Sequence, residues 1–539
     1  MKMSQSDQVN KIPETSQLLT DPIIANEEVS NLKNSNLTAR TFNGLKWSYL
    51  DTGINAVLQI GYTAVMARLL SPADFGLVAM ANVVLRFGSY FAQMGMGSAL
   101  VQKKDLSEKE IRAGFTSNVF LSVLMFAIFW FGAPLSTYIF NNQAVVPIVR
   151  WLALSFIFTG ISTTAISLLR RELNFRSIAI IHIISFILGY AGIGIVMALN
   201  GFGVYSLVGA ALSQGTILAV LAYLFSRHNL LFVFKWKYYK QLYSFGARVS
   251  IISFMEFISS NLDTMAIGRF LGDIALGFYN RAFMLINLPM YYLVNSLSRV
   301  LMPSYSRIQD DIPRLRKTYL SSILLVSSII IPLSWGLSAA SNEVINLVLG
   351  RNWGPSIPIL QILALTIPFY FLSHLAAIIL EATAKLSVKI FIQIISIILL
   401  IFLFVFLFEY GIIGFTIAVG ISKLIEFFLY LMVIKSFLEI NFKEIISNYS
   451  PGILIGTFVF LTIYILRYFL SSYISSNSLI FLIEIFLSGI IILALFIFSG
   501  FCYNLRKELR ERFLFSGSRI NENSFFTSLL LYFFHENPK

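Results

Sequence analysis

Lys and Arg are shared out unevenly between about fourteen apolar stretches, and that alternation constrains the fold more than any other feature. One gap between stretches is rich in basic residues, and the next is nearly empty of them. An apolar run of about 20 residues crosses a bilayer as a helix, and loops carrying Lys and Arg stay on the cytoplasmic side. The pattern predicts an all-α, multi-pass membrane protein with both termini in the cytoplasm.

Spans are expected near 43–68, 75–99, 114–134, 146–169, 177–199, 203–226, 243–267, 275–300, 319–341, 356–380, 387–408, 411–434, 450–470 and 478–501. The cytoplasmic gaps include Lys103 and Arg112, then Arg170, Arg171 and Arg176, then Arg227 and Lys235, and later Arg307, Arg314 and Arg316. The opposite gaps hold Arg68, Arg269, Arg351 and Arg467, at most one each. No gap is long enough for a separate folded domain, which typically needs about 50 residues or more. That argues against a soluble catalytic module.

Composition agrees, with 57% hydrophobic and 12% charged residues against about 25% charged in soluble proteins. A net charge of +13 raises the question of nucleic acid. Here the basic residues flank membrane spans and orient them against an anionic leaflet, so no nucleic-acid partner is expected. The single Cys502 excludes an intrachain disulfide and a Cys-cluster metal site. The four His show no metal-ligand pair spacing, so neither metal nor cofactor is expected. Residues 1–40 are polar, lack the apolar core of a signal peptide and read as a disordered cytoplasmic extension.

An internal repeat is also visible. ARLLSPADFGLVAM, from the first span into the second, resembles GRFLGDIALGFYNR, from the seventh into the eighth. Arg68 aligns with Arg269 and Gly76 with Gly277, an offset of 201 residues that maps spans 1–6 onto 7–12. Each half has an even number of spans, so the repeat is parallel, an arrangement in which transporters bind substrate between the halves. The expected divisions are an N-lobe at 41–240, a C-lobe at 241–440, two further helices at 441–502 and a basic cytoplasmic tail at 503–539.

Ionisable groups within spans normally face a cavity or a partner, because insertion costs about 2.5–3.5 kcal/mol each. In the first span Asp51, Asn55, Gln59 and Tyr62 share one helical face. In the seventh, Glu256, Ser259, Ser260 and Asp263 do the same. Cations stand on neighbouring spans: Arg86 with Gln93, Arg248, and Arg281 with Tyr292, Asn295 and Arg299. Arginine grips phosphate in a bidentate fork, so Arg86, Arg248, Arg281 and Arg299 are candidate contacts for an anionic cargo. The competing reading is that they neutralise Asp51, Glu256 or Asp263 and hold helices together. Lys423 and Glu426 stand three apart, which allows a direct pair. Glu381, near the cytoplasmic end of its span, reads equally as a gate or as a side chain snorkelling to water, and His374 reads as a packing residue. GxxxxGK[ST], HExxH, GxSxG and CxxC are all absent, which argues against ATP hydrolysis and against an enzyme.

LLRRELNFRSIAI (168–180), NLDTMAIGRFLGDIALGFYNRAF (261–283), RVLMPSYSRIQDD (299–311) and LVLGRNWGPSIPILQILAL (347–365) resemble one known family. GFGVYSLV (201–208) also resembles a turn of that family, with Tyr205 and Ser206 departing from its usual Trp-Ala. The chain is similar to the Wzx-type lipid-linked oligosaccharide flippases. These form the polysaccharide transport branch of the multidrug/oligosaccharidyl-lipid/polysaccharide (MOP) exporter superfamily, and the colanic-acid and teichuronic-acid exporters are the subgroup it most resembles. The likeness runs from about residue 42 to 437.

The resemblance implies two six-helix lobes around a central cavity, plus two C-terminal helices. It implies a polyprenyl-pyrophosphate-linked oligosaccharide repeat unit, flipped to the outer leaflet of a bacterial inner membrane by alternating access. That would serve surface polysaccharide export of the exopolysaccharide or lipopolysaccharide O-antigen kind, beside polymerase and export machinery. Coupling to H+ or Na+ is implied only loosely. The polar residues above, with Glu256 and Asp263 foremost, are the candidates for it. The other reading is an ion-coupled cation or drug antiporter of the MATE type, which shares the superfamily fold.

Overall fold

The computed structural model describes residues 22–93, 96–103, 105–234, 257–258, 260–470, 472–474 and 476–515. The described residues form helices and connecting segments, with no strand among them. The first half comprises α1 (Pro22–Leu69), α2 (Pro72–Gln93), the short α3 (Met96–Gln102), α4 (Glu108–Gly132), α5 (Val145–Arg171), α6 (Phe175–Leu199) and α7 (Val204–Ser226). The second half comprises α8 (260–270), α9 (Gly272–Arg307), α10 (Ile312–Ala339), the two-turn α11 (Ser341–Val348), α12 (Ser356–Ala382), α13 (Leu386–Phe406) and α14 (Gly411–Phe437). Then follow α15 (Phe442–Leu470), α16 (Asn477–Phe498) and α17 (Tyr503–Phe515).

Ten of the described helices are long and apolar enough to cross a membrane, and most of the expected seventh span, 243–267, lies outside the described residues. α1, α2, α8 and α9 fall outside those ten. Polar residues along α1 (Asp51, Asn55, Gln59) and α9 (Arg281, Asn287, Arg299) lower the hydropathy of both. A helix that lines a polar cavity need not be as apolar as one that faces lipid. α1 also begins at Pro22, well before the expected span, because no Pro or Gly interrupts 23–42 and proline suits a first helical position.

Without a hydrophobic force between helices in lipid, close packing depends on small residues. α15 carries Gly452 and Gly456 four apart, and both lie against α10. A Cβ on Gly452 would stand 2.5 Å from the Ser327 carbonyl oxygen, and one on Gly456 would stand 2.8 Å from Ile331 Cγ2. α4 meets α5 in the same manner: Gly160 faces Ser122, and Asn118 Nδ2 donates to Thr164 Oγ1 at 3.0 Å.

One end of the molecule is sealed between the two halves, and the seal follows the internal repeat. A Cβ on Gly76 of α2 would stand 1.9 Å from the Asp273 carbonyl oxygen, and one on Gly277 of α9 would stand 1.9 Å from that of Pro72. Asp273 is the 201-residue counterpart of Pro72, as Gly277 is of Gly76, so these are two copies of one contact about a pseudo-twofold axis.

The matching arginines close the same end. Arg68 donates to the carbonyls of Leu347 at 2.6 Å and Val348 at 2.9 Å, in the last turn of α11. Arg269 donates to the Tyr138 carbonyl at 2.7 Å, in the first half. Fully buried Trp353 donates its indole N–H to the Ala67 carbonyl at 2.8 Å and packs edge-on against Phe75 and Phe278.

Candidate substrate cavity

Towards the other end, where the basic loops lie, residues of both halves line a cavity of about 680 Å³. α1 contributes Ser48, Tyr49 and Thr52 together with three members of the expected stripe, Asp51, Asn55 and Gln59; the fourth, Tyr62, does not line the cavity and packs edge-on against Phe186 and Tyr190. α6 and α7 contribute His182, Tyr190 and Gln214 among others, and the last turn of α5 supplies Arg170. Arg299 reaches the cavity from α9, in the other half.

The wall of α6 carries an i→i+5 helical stretch over Ile187–Gly194. Widened turns of this kind recur at functional sites because they rotate the following side chains relative to a regular helix. Tyr190 lies within it, stacked on Phe186 with centroids 4.7 Å apart.

Asp51 is the acid of the cavity, and it is held by its neighbours. Its Oδ2 lies 2.9 Å from His182 Nδ1, and its Oδ1 accepts from Asn55 Nδ2 at 2.6 Å. Arg170 and Arg299 are exposed to the cavity, and their side chains make no hydrogen bond or ion pair among the described residues. Among the described residues one anion is therefore already engaged, while two cations from opposite halves have no partner and can bind.

The remaining candidate residues lie elsewhere. Arg86 is exposed on α2 and does not line this cavity. Arg281 is half-buried under the sealed end, with its guanidinium 4.5 Å from the Phe75 ring centroid and Nη2 2.7 Å from Asn280 Oδ1. Asp263 is buried in the second half, accepting from the Tyr279 hydroxyl at 2.6 Å and the Thr264 amide at 2.7 Å. Lys423 pairs with Glu426 at 2.7 Å, and Glu381 pairs with Lys389 at 2.6 Å. His374 Nε2 lies 2.7 Å from the Ser298 hydroxyl. Asp263, Lys423, Glu426, Glu381 and His374 thus each have a partner inside the second half, whereas Arg281 Nε has none among the described residues. Arg248 and Glu256 lie outside the described residues, as do the side chains of Gln93, Tyr292 and Asn295.

The cavity also contains residues that the sequence did not single out. Arg170 reads as one more topology-setting charge in a basic loop. His182 is a lone histidine 131 positions from its carboxylate partner. No local spacing could have joined them.

Fold and site together describe a multi-pass membrane protein whose two-lobed fold is of the MOP type. The sequence profile of the family described as Polysaccharide biosynthesis protein matches residues 65–358, more than half of the chain, and the chain belongs to that family. It is 26% identical over 432 residues to the lipopolysaccharide biosynthesis protein WzxC of Escherichia coli, covering 77% of this chain and 85% of that one. It is 25% identical over 331 residues to the teichuronic acid biosynthesis protein TuaB of Bacillus subtilis, covering 61% and 68%. With the succinoglycan biosynthesis transport protein ExoT of Rhizobium meliloti it shares 29% over 323 residues, covering 59% and 65%. Among solved structures, the inward closed conformation of the lipid II flippase MurJ superposes with a TM-score of 0.66 at 16% identity, covering 86% of this chain and all of that one. An inward-facing MATE-family transporter of the MOP superfamily superposes at 0.52, with 17% identity and 73% and 95% coverage.

Proposed function

We propose that this protein flips a polyprenyl-pyrophosphate-linked oligosaccharide from the cytoplasmic to the outer leaflet of the bacterial inner membrane, supplying surface polysaccharide export. The observation that carries this reading is the pair of arginines, Arg170 and Arg299, which come from the two halves of the chain into one polar cavity and have no side-chain partner among the described residues. A pyrophosphate cannot enter hydrocarbon bare, since the idealised cost is of order 20 kcal/mol per unit charge. Sugar hydroxyls each need a hydrogen-bond partner away from water. Two guanidinium groups answer the first demand. Asn55, Gln59, Gln214 and the Ser48 and Thr52 hydroxyls answer the second. The prenyl chain stays in lipid throughout.

Export of a lipid-linked glycan also agrees with the named roles of the relatives in lipopolysaccharide, teichuronic acid and succinoglycan biosynthesis. The cavity lies at the end with the basic loops, which the charge rule places in the cytoplasm. The sealed end then faces outward, and the arrangement is the loading state of an alternating-access cycle. No bond of the cargo is broken in this scheme, and the chain acts as a transporter.

Depleting the protein in its host, then quantifying lipid-linked glycan by leaflet, tests the reading. Complete repeat units are expected to accumulate on the cytoplasmic face while surface polysaccharide falls. Normal lipid-linked pools with raised sensitivity to cationic dyes would contradict it and point to drug antiport.

A further inference from the structure

Glu484 lies in the middle of the apolar helix α16 and is fully buried, yet neither of its carboxylate oxygens has a hydrogen-bond partner among the described residues. α16 packs on α15 and on the two-turn α11. Those helices present the charged groups that face it: Glu343 from the first turn of α11 and Arg467 from the last turn of α15. Glu343 is itself 1% exposed. Its Oε1 takes Arg467 Nε at 3.4 Å and Asn342 Nδ2 at 3.1 Å, while its Oε2 has no partner. The hydroxyl of Ser488, one turn beyond Glu484 on the same helix face, is also unpartnered.

Among the described residues, two carboxylates and one guanidinium leave this group one positive charge short of neutrality. A buried carboxylate away from water is retained only with a counter-charge and hydrogen-bond partners. The unfilled atoms are all oxygens, the donor type of hard cations. A single monovalent charge restores balance, whereas a divalent ion would overshoot it.

We propose that Glu484 and Glu343 form a binding site for one monovalent cation, Na+ or a proton, separate from the cargo cavity. The position gives it a consequence. α11 carries Glu343 in its first turn and presents the carbonyls of Leu347 and Val348 to Arg68 in its last. A cation that fixes α11 against α16 therefore also fixes the carbonyls by which the sealed end is held. Loss of the cation frees α11 and loosens that grip.

The test is thermal unfolding of the full chain in detergent micelles, wild type against Glu484→Gln, which removes the charge and keeps the shape. Each is melted at pH 8 in NaCl and in choline chloride at equal ionic strength, then in choline chloride at pH 5.5. For sodium, the wild type gains a few degrees in NaCl over choline. For a proton, it gains them in choline on acidification, with no difference between the salts. In either case Glu484→Gln is indifferent to the change that stabilises the wild type. A wild type that responds to neither, or a Glu484→Gln protein that responds as the wild type does, overturns the proposal. If Glu484→Gln fails to fold, Glu343→Gln serves as the neutralised form with the same expectations. The readout is binding to the protein alone, so its failure leaves the flippase reading untouched.

Discussion

Among the described residues, the side chains of Arg170 and Arg299 have no partner, which prepares them for an anion. The carboxylate among the described residues lining their cavity, Asp51, is already engaged by His182 and Asn55. The acid and histidine thus keep the cavity cationic and hold the face of α1 against α6. Asp51→Ala takes the acceptor from His182 Nδ1 and one of two from Asn55 Nδ2, which keeps the Asp51 carbonyl. Losing an acceptor for partly buried donors costs about 1–3 kcal/mol, so the unfolding midpoint of the purified protein is expected to fall. An unchanged midpoint would show that this contact holds nothing. The residues themselves were only partly legible in the sequence. The α1 stripe was visible because one helix sets its periodicity, whereas His182 belongs to another helix and Arg170 has the appearance of any loop cation. Arg281 shows the converse: it shares a helix with Arg299, yet its guanidinium rests on Phe75. Periodicity tells which residues share a face, not what that face meets.

At the scale of elements, α2 and α9 touch backbone to backbone at Gly76 and Gly277. No side chain stands in the way that could turn aside for a methyl group, because the opposing atoms are the carbonyls of Asp273 and Pro72. Gly76→Ala and Gly277→Ala should each destabilise the sealed arrangement by about 1–3 kcal/mol, the usual cost of overpacking, and to similar extents, since they are symmetry copies. Spin labels at Leu135 and Ile274, both exposed near that end, are expected to move apart in either variant. Unchanged distances would mean that the seal is held elsewhere. The repeat was readable from the alignment of Arg68 with Arg269 and Gly76 with Gly277. Its role as the closure was not, because an alignment of two segments does not say that they meet. The docking of α15 on α10 through Gly452 and Gly456 was likewise written in the sequence, but it is hidden where glycine is common in apolar helices.

The described residues form a pseudo-symmetric pair of lobes, sealed at one end by the repeat and holding at the other a cavity lined by two arginines with no side-chain partner among those residues. Its helical, membrane-spanning character was legible because hydropathy and basic loops act over whole segments and need no knowledge of contacts. The cavity was less so, since it is assembled from α1, α5, α6, α7 and α9, which only the fold brings together. The central claim is that this cavity carries an anionic lipid-linked glycan across the bilayer. Its most direct test is reconstitution into proteoliposomes loaded in one leaflet with polyprenyl-pyrophosphate-linked oligosaccharide, scoring arrival in the other leaflet. The account predicts transfer by the wild type and its near-complete loss in Arg299→Glu at equal protein incorporation. Equal transfer by both, or none by the wild type in a preparation that folds and inserts normally, would contradict it.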